Sequence, residues 1–142
     1  GEVVMKLKSL LLCWCLCMVS SVYAANHHLH PNDGPIEKSS TDKNFTWPGY
    51  CEIEIINRSY QDIYVYGDFD DGYRLDPFMI YSFEGPHYIS LFYYGYCHSG
   101  MYLYISTDQG YLLYSGYAQR RSSIRVVPYY ANQMKVEITK KE

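Results

Sequence analysis

The chain has 142 residues, of which 48% are hydrophobic and 19% charged, and a formal net charge of −3 at pH 7. This length predicts a single folded domain, and the acidic balance provides no basic field that would attract nucleic acid or an anionic membrane surface. Tyrosine is unusually frequent, with 18 copies, and its ring suits both pleated sheet surfaces and recognition surfaces.

The first predicted element is a signal peptide. Lysines precede an apolar run from Leu10 to Val19, and Val22 and Ala24 supply the small residues that signal peptidase requires. The run is shorter than the roughly 20 apolar residues that a membrane-spanning helix needs. We therefore expect residues 1–24 to comprise a few upstream residues and the signal peptide, with cleavage after Ala24. We also expect no transmembrane anchor and a secreted or periplasmic location.

Cysteine use agrees with export. Removal of the signal would leave Cys51 and Cys97 from the five cysteines of the chain. An even number of cysteines in an oxidising compartment predicts a disulfide between them. The alternative is a catalytic thiol at Cys97, next to His98.

Residues 25–48 contain His, Pro, Ser and charged residues with few apolar side chains to bury. This composition predicts a flexible leader ahead of a domain that spans residues 49–142.

Cleavage after Ala24 would create the new terminus Ala25–Asn26–His27. A terminal amine, two backbone amides and a histidine in third place can form the square-planar nitrogen site that Cu(II) and Ni(II) favour. Cleavage one residue later would place His28 third, with His30 nearby. The alternative is that a histidine stands in third place by chance, without a metal role.

After residue 48, short runs of β-branched and aromatic residues are separated by turn residues about every eight to twelve positions. This pattern predicts an all-β fold, an antiparallel β-sandwich of about eight short strands. Alternation also predicts a solvent-facing side with Glu52 and Glu54, and a hairpin that joins residues 101–107 to 111–117. The predicted inward residues are Cys51, Ile53, Ile55, Ile63, Val65, Ile89, Leu91, Tyr93, Met101, Leu103, Ile105, Val136 and Ile138.

An acidic stretch follows the second predicted strand, with four carboxylates within nine residues at Asp68, Asp70, Asp71 and Asp76. Such oxygen-rich loops can bind Ca²⁺, although the spacing does not match an EF-hand. Asp71–Gly72 is also typical of a tight hairpin turn, which is the alternative interpretation.

Aromatic residues alternate on two later strands. Tyr102 and Tyr104 share one side of a strand, and Tyr88, Phe92 and Tyr94 share one side of another. If these strands pair, the rings form one surface that could bind a glycan, a lipid headgroup or a host protein. The alternative is ordinary cross-strand aromatic packing.

Arg120 and Arg121 form the one concentrated basic spot of the sequence, in a predicted turn with Arg125 nearby. Guanidinium groups and backbone amides in such a turn could bind a phosphate, a sulfate or an acidic sugar. The alternative is a solvated loop.

No nucleophile elbow, zinc-ligand spacing or phosphate loop is present, so the sequence predicts no catalytic residue and no required cofactor. We expect a secreted, non-enzymatic binding module that uses its tyrosine-rich surface or its loops. One alternative is a small secreted hydrolase, with an acidic pair drawn from Glu52, Glu54 and Glu84 or a His-centred site. Another is a metal-handling protein that uses its histidine-containing N-terminus or its acidic loop.

Four stretches of sequence carry a resemblance: Cys51 to Ser59, Val65 to Gly72, Pro86 to Ile89, and Tyr94 to His98. In these stretches the chain resembles uncharacterised small exported proteins of Gram-negative intracellular bacteria, over about half of the predicted mature chain. The resemblance implies secretion. It suggests the type II route, by which a folded protein would leave the cell after disulfide formation in the periplasm. It implies no activity and no site residues.

Overall fold

The structure is a computed structural model that describes residues 26–33 and 50–140. Within these ranges the chain forms eleven β-strands, and no helix there has the length and apolarity needed to cross a bilayer. The predicted signal peptide and much of the predicted leader lie outside the described residues. The strands are β1 (His27–His28), β2 (Glu52–Asn57), β3 (Ile63–Phe69), β4 (Phe78–Ile80), β5 (His87–Ser90), β6 (Phe92–Tyr93), β7 (Tyr96–Cys97), β8 (Gly100–Thr107), β9 (Leu112–Gln119), β10 (Ser122–Pro128) and β11 (Met134–Lys140).

The strands form three sheets. A five-stranded sheet has the order β1-β5-β2-β10-β11, a four-stranded sheet has the order β4-β3-β8-β9, and β6 pairs with β7 alone. The all-β class is confirmed, with eleven strands in place of about eight, and the sandwich arrangement stays a prediction.

The expectation of purely antiparallel pairing is wrong at two places. β10 pairs with β2 in parallel, and β1 pairs with β5 in parallel. Parallel neighbours need a long crossover connection, and the seven strands β3 to β9 supply one between β2 and β10. Alternation within a strand carries no information about such a distant partner.

One hydrophobic core contains side chains from both larger sheets. The predicted alternation is confirmed for the apolar positions of β2, β3 and β8, because each sheet presents one side of its pleat to this core. Predicted inward residues without exposed surface are Ile53, Ile55, Ile63, Val65, Ile89, Leu91, Tyr93, Met101, Leu103 and Ile105.

Two orientations were predicted wrongly. Glu54 is 6% exposed and accepts a hydrogen bond from Ser123 Oγ at 2.6 Å, because β2 is a central strand on which Tyr88 of β5 and Ser123 of β10 flank this residue. Ile138 is 52% exposed, because β11 is an edge strand with a neighbour on one side only. Val136, earlier on β11, is partly buried against the core as predicted.

The predicted disulfide is confirmed: Cys51 is bonded to Cys97. Cys97 is therefore not a free thiol. The predicted hairpin is also confirmed, since β8 and β9 pair antiparallel around a turn at residues 108–110.

Residues 26–33, which fall within the predicted flexible leader, pack against the domain instead. His27 and His28 form β1 at the edge of the five-stranded sheet, and His30 is 2% exposed. Ring stacking of the histidines on aromatic residues far along the chain orders this segment, and composition alone did not reveal those partners. We call residues 26–33 the N-terminal segment.

Candidate functional site

Five tyrosines lie on one side of the four-stranded sheet, and we call them the tyrosine face: Tyr64, Tyr66, Tyr102, Tyr104 and Tyr117. The register aligns Tyr66 with Tyr104, and Tyr102 with Tyr117. Their neighbours along the strands, such as Val65 and Leu103, are fully buried. Because side chains alternate along a strand, burial of those neighbours directs the five rings away from the core.

The rings of the tyrosine face contact one another across the strands. The rings of Tyr66 and Tyr104 are stacked, with centroids 5.2 Å apart and planes 13° apart. The ring centroids of Tyr64 and Tyr66 are 6.1 Å apart. The rings of Tyr117 and Tyr102 pack edge to face, with centroids 5.2 Å apart. Tyr102 nevertheless keeps 55% of its surface exposed. These contacts hold the rings in place while leaving ring surface for a ligand.

Polar groups border the tyrosine face at one end. The Tyr117 hydroxyl donates to Asp70 Oδ2 at 2.9 Å and lies 2.8 Å from Ser99 Oγ. Asp68, aligned with Tyr102, has Arg74 Nε 3.8 Å from its Oδ1. Partial burial, and then the Asp70 carboxylate, raise the pKa of Tyr117. This border offers carboxylates and hydroxyls beside exposed rings.

The predicted aromatic surface is divided between sheets. Tyr102 and Tyr104 belong to the tyrosine face, whereas Tyr88 and Phe92 lie on β5 and β6 and Tyr94 follows β6. β8 pairs with β3 and β9 rather than with β5 or β6, so the condition for a single surface of all five rings is not met by strand pairing. The missing members were Tyr64, Tyr66 and Tyr117. The alternation of Tyr64 and Tyr66 was visible in the sequence, but the pairing of β3 with β8 was not.

The acidic stretch forms a tight turn. The Gly72 amide donates to the Phe69 carbonyl at 2.9 Å, and Gly72 has a φ of 85°, which glycine adopts without strain.

The carboxylates of this turn point to separate partners: Asp68 to Arg74, Asp70 to Tyr117, and Asp71 to His30. Asp76 is exposed. Among residues 26–33 and 50–140, no three His, Cys, Asp or Glu side chains are arranged to hold a metal ion. Calcium binding stays a prediction.

Arg120 and Arg121 form the turn between β9, which ends at Gln119, and β10, which begins at Ser122. This turn connects the two larger sheets. The Arg120 amide donates to the Ser99 carbonyl and the Arg121 amide to the Glu52 carbonyl, each at 2.8 Å. These amides are therefore not available to an anion, contrary to expectation. Both guanidinium groups lie over the Tyr50 ring, at 4.9 and 5.4 Å from its centroid.

A second cluster encloses His30, and we call its rings the aromatic cage: Phe69, Tyr73, Tyr93 and Tyr94. Tyr93 stacks on the His30 ring, with centroids 4.0 Å apart and planes 8° apart. The other three rings lie 4.7 to 5.5 Å from it at steep angles. The far side of Tyr93 stacks on His98 at 3.6 Å.

Polar contacts fix the orientation of the His30 ring. The Asn32 amide donates to Nδ1 at 2.9 Å, so Nδ1 has no proton and Nε2–H donates to Asp71 Oδ2 at 2.9 Å. Partial burial acts against the charge of Asp71. The Tyr73 amide and His30 outweigh it and hold the pKa of Asp71 below its usual value.

Tyr93 has a buried hydroxyl with no hydrogen-bond partner within the described part of the chain. Burial, followed by the charges of Asp71 and Asp70, raises the pKa of Tyr93 to about 12, and the nearby Asp70 backbone offsets this only in part.

A second histidine of the N-terminal segment is also held by a ring and a polar group. His28 stacks on Phe78 with centroids 3.4 Å apart, and its Nε2 lies 2.9 Å from His87 Nδ1. His87 Nε2 lies 3.1 Å from Glu84 Oε2, a close contact without a formed hydrogen bond. Burial first, and then the charges of His87 and His27, lower the pKa of His28 to about 4.

The predicted copper or nickel site falls only partly within the described residues, because Ala25 lies outside them. The Asn26 carbonyl accepts a hydrogen bond from the Tyr88 amide at 2.8 Å. The His27 ring lies 5.0 Å from the Tyr88 ring. A site centred on His28 would have to give up its contacts with Phe78 and His87. Metal binding at this terminus stays a prediction.

Two of the three carboxylates considered for hydrolysis, Glu54 and Glu84, have separate partners. Glu54 accepts from Ser123, whereas Glu84 accepts from the Tyr81 amide and approaches His87. No contact links these two carboxylates into a catalytic pair in the described residues.

Comparison with protein-family models, with curated proteins and with solved structures finds no match for this chain.

Proposed function

We propose that this protein is a secreted, non-enzymatic binding module whose tyrosine face binds a glycan. The observation that carries the proposal is the tyrosine face itself: five tyrosines aligned on three neighbouring strands, held by mutual ring contacts and still partly exposed. Tyrosine offers a large contact area and loses little rotamer entropy on binding.

The chemistry of the face favours a neutral sugar. The C–H faces of a pyranose are apolar and flat, and they match exposed aromatic rings. Sugar hydroxyls can donate to the carboxylates of Asp68 and Asp70 and exchange hydrogen bonds with Ser99 and Tyr117. An anionic lipid headgroup would meet the carboxylates of Asp68 and Asp70 at this end of the face, and their negative charge disfavours it.

Secretion is part of the proposal. It is supported by the predicted signal peptide and by the Cys51–Cys97 disulfide, which is compatible with an oxidising location outside the cytoplasm.

The test is a glycan array probed with the predicted mature chain, followed by calorimetric titration of the best ligand. We expect Tyr102→Ala and Tyr104→Ala each to weaken binding by about tenfold or more, since an aromatic anchor is lost. The melting temperature should stay close to the wild-type value for Tyr102→Ala, because that ring is largely exposed.

The matched control is Tyr130→Ala. Tyr130 is 81% exposed and lies in the turn between β10 and β11, so its removal should leave glycan binding unchanged. An array without a saturable ligand rejects the proposal. So does equal weakening by Tyr102→Ala and Tyr130→Ala. Lipid or protein capture that depends on Tyr102 would assign the face to another ligand class.

A further inference from the structure

We infer that the β5 edge and the aromatic cage form a peptide-binding site, occupied in this chain by its own N-terminal segment and able to accept the same segment from a second copy. The site uses none of the five tyrosines of the tyrosine face, so this inference and the proposed function can fail separately.

The main chain of the segment extends the sheet. β1 pairs in parallel with β5, with His27 beside Tyr88 and His28 beside Ile89. The Tyr88 amide donates to the Asn26 carbonyl at 2.8 Å. β5 would otherwise end the five-stranded sheet. Addition of an extended peptide to such an edge is a general recognition mode, in which backbone hydrogen bonds provide affinity and pockets for alternate side chains provide specificity.

The segment has that alternation. His28 and His30 are two residues apart, and each enters its own pocket. Leu29 between them is 58% exposed. An extended chain directs every second side chain to the same side, so the two histidines act as the anchors of the peptide and Leu29 faces solvent.

Each pocket holds a planar ring by stacking and one of its nitrogens by a polar contact. In the first, Phe78 stacks on the His28 ring and His87 Nδ1 pairs with its Nε2. In the second, the aromatic cage surrounds His30 and Asp71 accepts from its Nε2–H. An apolar side chain of the same size would fill the cage but lose the hydrogen bond to Asp71, so a planar ring with an N–H donor fits this pocket best. The ligand class is therefore an extended peptide with histidines at alternate positions.

The connection to the domain allows exchange between copies. Residues 34–49 join the segment to the described domain, and this length could span about 50 Å if extended. The attachments are a two-residue strand, two histidine side chains and the hydrogen bonds between Asn32 and Tyr94. A second copy can therefore supply the same segment to the site at no loss of contacts, and its sequence is the ligand that the pockets are known to fit.

The experiment removes the His30 side chain from the chain and supplies it again on a separate peptide. The full chain with His30→Ala is titrated with a fluorescent peptide of residues 26–33, Asn-His-His-Leu-His-Pro-Asn-Asp. We expect saturable binding that is about tenfold or more tighter than to the wild-type chain, whose site is occupied. A control peptide with alanine at the position of His30 should bind the variant about tenfold or more weakly.

A folded His30→Ala chain that binds neither peptide, or binds both equally, overturns the inference. His30→Gln is the second variant, because it removes the imidazole and retains an N–H donor for Asp71. If neither variant folds, the peptide is titrated into isotopically labelled wild-type chain, in tenfold excess over the millimolar effective concentration of a tethered segment. Movement of the His30 ring signals then supports the inference, and unmoved signals reject it.

Discussion

The tyrosine face and the aromatic cage use the same residue type in opposite ways. On the face, the rings come from neighbouring strands in register, stay partly exposed and contact each other side by side. In the cage, rings from β3, from the turn after it and from β6 enclose a histidine that is almost fully buried. The face suits a ligand that remains in contact with water, whereas the cage suits a side chain that is withdrawn from it.

The largest difference between the tyrosine face and the aromatic cage should follow from removal of the disulfide. It joins Cys51, just before β2, to β7, which pairs with the β6 strand that carries Tyr93. The strands of the tyrosine face contain no cysteine. Replacement of both cysteines by alanine should lower the free energy of unfolding by about 2 to 5 kcal/mol, measured by denaturant titration.

The NMR ring signals of the same variant show whether the aromatic cage loosens before the tyrosine face. Near native conditions, we expect the NMR signals of Tyr93 and His98 to broaden before those of Tyr66 and Tyr104, because only the first pair lies beside the lost cross-link. Simultaneous broadening of all four would show that the two regions do not differ in this respect, and an unchanged unfolding midpoint would refute the stabilising role.

Acid should reduce the stability that the N-terminal segment contributes through His28. Burial, then His87 and His27, lower the pKa of His28 from 6.5 to about 4, so the unfolded chain binds this proton more readily than the folded one. The stabilising contribution is complete above pH 6.5 and is lost as the pH falls towards about 4. We expect a loss of about 1 to 2 kcal/mol, reduced because the ring is partly exposed.

The control for this prediction is His28→Phe, which keeps an aromatic ring against Phe78 and removes the titrating group. Unfolding free energies measured across this pH range should fall less steeply in the variant than in the wild-type chain. Equal slopes would show that His28 does not carry the acid sensitivity.

The smallest effects come from two tyrosine hydroxyls. Tyr93→Phe should leave the free energy of unfolding unchanged or raise it by up to about 1 kcal/mol, because it removes a buried hydroxyl that has no hydrogen-bond partner among residues 26–33 and 50–140. Tyr117→Phe should lower it by up to about 1 kcal/mol, because that hydroxyl contacts both Asp70 and Ser99. A larger loss from Tyr93→Phe than from Tyr117→Phe would contradict the assignment.

Much of the tyrosine face could be predicted from the sequence. Alternation placed Tyr64 and Tyr66 opposite the buried Ile63 and Val65, and it predicted the strand that carries Tyr102. The β8–β9 hairpin was also predictable, because its turn residues are local signals. The pairing of β3 with β8 was not, since thirty residues separate the two strands and alternation does not encode the partner.

The aromatic cage could not be predicted in the same way. His30 meets Asp71 across 41 positions of sequence and lies in a stretch whose composition indicated a flexible leader. Glu54 shows the same difficulty, because its burial depends on β10, which lies far along the chain. Local patterns report which side of a strand faces the core, whereas these sites depend on which distant elements meet.

The two-residue strand β1 also has a consequence for solubility. β5 is the strand that β1 covers, and an uncovered strand edge is a template for pairing with the edges of other molecules. The opposite edge strand of that sheet, β11, carries Lys135 and Glu137 with their side chains exposed, the charges that discourage such pairing. At β5 this protection is provided by β1, a strand of two residues. A molecule whose N-terminal segment is displaced thus becomes, for as long as it stays displaced, a nucleus for edge-to-edge association.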